Sequence, residues 1–166
     1  NGRHLFYWFV ESQANPEKDP VVLWMNGGPG CSSLDGLLTE HSPFRIEPNG
    51  KELKSNPYSW NKVANVIYLE SPAGVGFSYS ENPSVDYNQL NDDKTASDVY
   101  NFLVEFFKKY PQFRANPFFV SGESYAGHYV PTTSFAVHTG NLAGKNPKIN
   151  LQGFLVGNGV TDGETD

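Results

Sequence analysis

Apolar residues in this chain gather into short, nearly continuous runs separated by glycine-, proline- and asparagine-rich segments. Val21-Val22-Leu23-Trp24-Met25, Asn65 to Leu69 and Phe118-Phe119-Val120 read as strands covered on both faces, because a strand with one wet face would alternate. Leu5 to Val10, aromatic and β-branched, predicts an earlier strand, and Leu151 to Val156 a last one. A helix is expected to open at an acidic cap, Asp92 or Asp93. It places Val99, Phe102, Leu103, Phe106 and Phe107 on one face and closes on Lys108-Lys109 before Pro111. Leu34 to Glu40 is a short helix-compatible stretch, and a second helix follows Gly127, started or kinked by Pro131. Ser12 to Pro20, the region from Pro43 to Pro57, and Asn141 to Asn150 are expected loops. Strands alternating with helices predict an α/β fold with a mainly parallel sheet, flanking helices and a site at the strand C-termini. Residues 1–166 read as a single domain with no internal repeat.

Each buried strand runs into a loop that carries chemistry. Phe118-Phe119-Val120 leads to Gly122-Glu123-Ser124-Tyr125-Ala126-Gly127, a nucleophile elbow. Its small residues permit a sharp strand-to-helix turn that exposes the Ser124 hydroxyl and aims the Tyr125 N–H at the attacked carbonyl. Val21 to Met25 leads to Asn26-Gly27-Gly28-Pro29-Gly30-Cys31-Ser32-Ser33. Unshielded N–H groups in such a loop suit either a phosphate cradle or an oxyanion hole. A P-loop ends in Gly-Lys-Ser/Thr, which is absent, so the oxyanion reading is retained. Gly74-x-Gly76 is not a dinucleotide fingerprint, since the third glycine would fall at Tyr79. Gly157-Asn158-Gly159 closes the last strand.

Twelve Lys and Arg against 18 Asp and Glu give a net charge of −6, which argues against a nucleic-acid partner. No apolar run reaches a membrane span, so no membrane association is expected. The chain starts at Asn1 without a leader and is expected to be a processed or excised piece. Cys31 is the one cysteine, which excludes an internal disulfide and a cysteine-based metal site. It is either a buried free thiol or bonds to a second chain or to a further part of this one. Asn82-Pro83-Ser84 fails as a glycosylation acceptor because of its proline.

The serine elbow and the upstream Gly-Gly loop imply an α/β-hydrolase with an acyl-transfer site. Trp24 to Ser33, Glu70-Ser71-Pro72-Ala73-Gly74-Val75-Gly76-Phe77-Ser78-Tyr79, Gly122 to Gly127 and Gly157-Asn158-Gly159 together resemble the serine carboxypeptidase family, in particular its cathepsin A-like (lysosomal protective protein) branch. The resemblance runs across the chain but matches only the front part of a family catalytic domain, so the fold is expected to be an incomplete, N-terminal portion. It implies Ser124 as nucleophile and Gly28 and Tyr125 as oxyanion donors, each worth about 3 kcal/mol. It further implies Asn26, Gly27, Glu40 and Glu123 around the terminal carboxylate of a peptide substrate, with Trp24 in support. Acids facing a carboxylate cannot all be ionised, so binding is expected to weaken as pH rises, which suits a lysosomal or secreted setting.

Such hydrolases place their triad in the order Ser, acid, His. After Ser124 the histidines are His128 and His138, and both precede the next acids, Asp162, Glu164 and Asp166. His128 reads as a packed or rim residue, and no partner suggests itself for His4, His41 or His138. The triad acid and base are therefore expected from a C-terminal part outside these residues, to which the resemblance also implies a disulfide from Cys31. On this reading the chain alone is inactive, no metal or cofactor is needed, and a homodimer is possible. Acyltransfer, hydroxynitrile lysis and a non-catalytic, protective binding role are the alternatives.

Overall fold

A computed structural model describes residues 2–145 and 147–166. Nine strands and three helices occur in it in the order β1 (Arg3–His4), β2 (Tyr7–Val10), β3 (Val21–Met25), β4 (Phe44–Ile46), β5 (Leu53–Ser55), β6 (Asn65–Leu69), β7 (Tyr79–Ser80), α1 (Pro83–Asp86), α2 (Asp92–Lys109), β8 (Phe118–Glu123), α3 (Ala126–Leu142) and β9 (Leu151–Gly157). The central sheet has the order β2-β6-β3-β8-β9. Its last four strands are parallel, and β2 lies antiparallel on the β6 edge. All five residues of β3 and of β6 are buried, as their apolar runs Val21–Met25 and Val66–Leu69 require.

The strand period divides each run between two cores. Val21, Leu23 and Met25 pack with Val99, Leu103, Phe106 and Phe107 of α2 and Val130 and Val137 of α3. Val22 and Trp24 point to the other face, with Val66, Tyr68 and Leu37. The sheet therefore carries its long helices on one side. On the other it carries the segment that follows β3, which includes a single π-helical turn at Gly36–Glu40.

Several expectations are corrected. The first strand of the central sheet starts at Tyr7, and Arg3–His4 instead pairs with Tyr79–Ser80 in a separate ribbon. The stretch from Pro43 to Pro57 contains the antiparallel hairpin β4–β5, with Phe44 opposite Ser55 and Ile46 opposite Leu53. Its turn uses Asn49-Gly50, with Gly50 at φ +66°. The cap of α2 is Asn91, whose side chain accepts from the Lys94 N–H at 2.8 Å, while Asp92 and Asp93 fill the first turn. Of the two places expected for Pro131, the start of the helix or within it, it takes the second, inside α3. β9 is the outer strand, and Phe154 is 55% exposed. Among the described residues no helix is long and apolar enough to cross a membrane.

Candidate active site

Three neighbouring parallel strands, β3, β8 and β9, end side by side, and the loops that leave them meet. At the end of β8 Ser124 adopts φ +56°, a left-handed conformation that costs a non-glycine residue about 1–3 kcal/mol. Backbone ties on both sides hold it there. The Ser124 N–H donates to the Gly157 carbonyl at 3.0 Å, and its carbonyl accepts from Gly127 at 2.9 Å and Val160 at 2.8 Å. Sequence reasoning flagged Gly157-Asn158-Gly159 but not Val160, which carries no local signal. The small residues around the serine are steric requirements. A Cβ on Gly122 would lie closer than 3.0 Å to the Met25 carbonyl and to Ala126, and one on Gly127 would collide with the backbone of Val160.

The loop leaving β3 is pressed onto this elbow. A Cβ on Gly27 would lie 2.8 Å from the Glu123 carbonyl, 2.9 Å from the Ser124 Cβ, and closer still to the Tyr125 nitrogen. Gly28 follows at φ +111° and Gly30 at φ +87°. The loop is closed by the Cys31 N–H on the Gly27 carbonyl at 3.1 Å, and by the Asn26 N–H on Ser33 Oγ at 3.1 Å. The structure thus brings Gly27 against Ser124 and Tyr125 from two strand ends, with Gly28 next in the chain. Tyr125 Oη reaches across to Asp92 at 3.2 Å.

Beside the serine sits a carboxyl cluster organised by Asn26, which is 3% exposed. Asn26 Nδ2 donates to Glu40 Oε1 at 2.7 Å and to Glu123 Oε1 at 3.1 Å. Its Oδ1 accepts from Trp24 Nε1 at 2.8 Å and from the Gly36 N–H at 3.2 Å. Both ends of the amide are saturated, which forces the NH2 toward the acids. A Cβ on Gly36 would strike Trp24, so the helical turn that carries Glu40 approaches only through a glycine. Burial raises the Glu40 pKa, and the charges of Glu123 and Asp35 act in the same direction against the Asn26 hydrogen bond. The five residues Trp24, Asn26, Gly27, Glu40 and Glu123 thus form one contiguous patch adjoining Ser124.

Behind this patch His41 has partners that the sequence did not reveal. Its ring stacks on Trp60 with centroids 4.1 Å apart, meets Trp24 edge-on at 4.3 Å, and bonds through Nδ1 to Tyr68 Oη at 2.9 Å. Burial pulls its pKa down to about 4. His4 likewise has a partner, Glu81 Oε1 at 2.9 Å. His128 packs its ring on Tyr125 with centroids 4.8 Å apart, and His138 is exposed on α3. Among the described residues none of the four bonds to Ser124. Cys31 is an exposed free thiol, not a buried one.

Two hollows flank the elbow. One, about 270 Å3, lies against Trp24, Glu123 and Val156. The other, about 480 Å3, lies against Gly30, Val75, Asp92, Tyr125 and Tyr129. The arrangement sets a serine hydroxyl beside a pair of carboxyl groups, with a hollow on either side.

Comparison with known proteins agrees with this geometry. The family model described as "Serine carboxypeptidase" matches residues 1–166. Serine carboxypeptidase-like 21 of Arabidopsis thaliana is 59% identical over 163 residues, covering 96% of this chain and 33% of that protein. The lysosomal protective protein of Mus musculus is 52% identical over 164 residues, covering 99% and 33%. The crystal structure of Kex1Δp, a prohormone-processing carboxypeptidase from Saccharomyces cerevisiae, superposes with a TM-score of 0.80 at 32% identity, over 95% of this chain and 34% of that one. The chain thus spans about a third of the length of its relatives. With the whole length matched and the sheet, elbow and loops in place, the chain belongs to the serine carboxypeptidase family and has the α/β-hydrolase fold in part.

Proposed function

We propose that this chain supplies the nucleophile, oxyanion loop and terminal-carboxylate clamp of a serine-type carboxypeptidase. The observation that carries the reading is the Asn26–Glu40–Glu123 cluster placed directly beside Ser124. A peptide's C-terminal carboxylate lies against the cluster and receives hydrogen bonds from the Asn26 amide and from whichever acid holds a proton. The scissile carbonyl then lies over Ser124, with its oxygen toward the N–H groups of Gly28 and Tyr125. Ser124 Oγ bonds to the carbonyl carbon, the C–N bond breaks, and the terminal amino acid leaves with the serine's proton. Water then hydrolyses the acyl-enzyme.

That proton needs a base, and the histidines here are engaged or placed elsewhere. The base and its orienting acid are assigned to the part that the relatives carry beyond this stretch, so the chain alone is inactive. Cys31, exposed on the oxyanion loop, is available for a disulfide to that part. A binding preference that strengthens in acid suits a lysosomal or secreted setting. The carboxyl cluster favours the peptidase over acyltransfer or hydroxynitrile lysis, neither of which requires a free carboxylate in the substrate.

Labelling with a fluorophosphonate probe tests the reading, because the probe reports an activated serine. Labelling of the complete gene product but not of residues 1–166, and its loss in Ser124→Ala, are expected. No labelling in either form would leave a non-catalytic, partner-binding role as the better account.

A further inference from the structure

Glu70 is the one acid in the described chain with no exposed surface, and the chemistry above does not use it. It stands at the C-terminal end of β6, the strand next to β3, so it lies beside the oxyanion loop. Ser32 Oγ, four residues past Gly28, donates to Glu70 Oε1. The Phe77 N–H donates to Glu70 Oε2 at 2.6 Å. Each carboxyl oxygen therefore anchors a different segment, one in the loop after β3 and one in the loop after β6. The room for this carboxyl is made by Gly76, where a Cβ would fall on the Glu70 oxygens. The two loops also pack directly, with Val75 Cγ2 4.0 Å from where a Cβ on Gly30 would stand.

Burying a carboxyl group away from any cation is unfavourable by several kcal/mol unless its oxygens are bonded. An apolar residue would fill the end of β6 at lower cost but would leave Ser32 untethered. The loop it tethers contains two left-handed glycines, Gly28 and Gly30, whose backbone has few restraints of its own. Of the other ties on that loop, those from Asn26 N–H to Ser33 Oγ and from Cys31 N–H to the Gly27 carbonyl are internal to it, while the Asn26 side chain bonds to Glu40 and Glu123 and the Gly30 backbone bonds to Tyr129 of α3. Glu70 bonds it to a neighbouring strand.

We propose that Glu70, acting through Ser32, is a positioning residue that holds the Gly28 N–H where oxyanion charge develops. The proposal rests on the acyl-enzyme reading above. Donors of this kind act through pre-organisation, and losing one outright lowers kcat about 10²- to 10³-fold. Loosening one is expected to lower kcat about tenfold and to leave KM within about twofold.

The test uses the complete gene product and the variants Ser32→Ala, Glu70→Ala and Glu70→Gln, with Ser124→Ala as control. Four quantities are compared per titrated active site: kcat and KM on a blocked dipeptide, affinity for a peptide aldehyde that forms a tetrahedral adduct, and affinity for the peptide-acid product. In Ser32→Ala and Glu70→Ala, kcat and aldehyde affinity fall together about tenfold while product affinity holds. Glu70→Gln, whose amide oxygen still meets the Phe77 N–H and whose NH2 meets Ser32 Oγ, retains activity within about threefold of the parent. Unchanged kcat and aldehyde affinity in Ser32→Ala would overturn the proposal, and so would a loss confined to the melting temperature. If Glu70→Ala does not fold, Ser32→Ala, which removes a single oxygen, decides the matter. Activity surviving in Ser124→Ala would instead refute the acyl-enzyme reading itself, whatever Ser32 does.

Discussion

Glu40→Gln separates a carboxylate clamp that depends on a proton from one that does not. The Asn26 amide cannot turn over, because its oxygen already accepts from Trp24 Nε1 and the Gly36 N–H, so its two N–H groups stay on Glu40 and Glu123. On the function proposed above, a third carboxylate brought by the substrate needs a proton on one of these acids to avoid repulsion. Glu40 is the acid whose pKa is raised, first by burial and then by the charges of Glu123 and Asp35. The sign follows directly. Below the raised pKa Glu40 is neutral and donates a hydrogen bond, and as pH rises through it the residue ionises and repels the ligand.

A hydrogen bond to a charged group is worth about 1.5–3 kcal/mol, which is about tenfold to a hundredfold in affinity. In the complete gene product KM is therefore expected to climb with pH by that total factor, with a slope no steeper than about tenfold per pH unit. In Glu40→Gln the donor is permanent, so KM stays flat from about pH 4 to 8 and kcat changes little. The assay is kcat and KM on a blocked dipeptide across that range. A Glu40→Gln profile parallel to the parent's would refute the assignment and move the proton to Glu123, for which Glu123→Gln is the matching variant. Stability supplies a second check. With a raised pKa, the Glu40 contribution is present at acid pH and is lost as pH rises through that pKa, so Glu40→Gln is expected to be more heat-stable than the parent at pH 7.

Other outcomes are open to measurement. Gly27→Ala places a methyl group against Glu123, Ser124 and Tyr125; serine labelling is expected to fall at least about 100-fold, with about 1–3 kcal/mol lost in urea unfolding. His41, 7% exposed and with its pKa lowered from 6.5 to about 4, favours the folded state above pH 6.5. That advantage fades as pH falls toward 4, by a total of about 3 kcal/mol. His41→Phe, which keeps the stack on Trp60, is expected to flatten the pH dependence of urea unfolding between those limits. Asn91→Ala removes the side-chain cap of α2 and is expected to lower stability by about 1 kcal/mol, read as a shift in the urea midpoint at unchanged slope.

The buried strands, the amphipathic helix and the elbow were legible in the sequence because each rests on local rules. Strands covered on both faces need unbroken apolar runs, helices need one apolar face, and a turn as tight as that at Ser124 needs small neighbours. The hairpin at Phe44–Ser55 escaped notice because its strands are short and its side chains largely exposed, so no apolar pattern marks it, although Asn49-Gly50 was a usable turn signal. The partners of His41 lie 19 and 27 residues further along, in Trp60 and Tyr68, and no spacing rule links them. The direction of the Asn26 amide, the ties from Gly157 and Val160 to Ser124, and the grip of Glu70 on Ser32 depend likewise on which strand lies next to which. The residues and their local conformations were thus set by the sequence through sterics and burial. Which polar groups satisfy one another was decided by the strand order β6-β3-β8-β9, because only that order brings these loop ends within hydrogen-bonding reach.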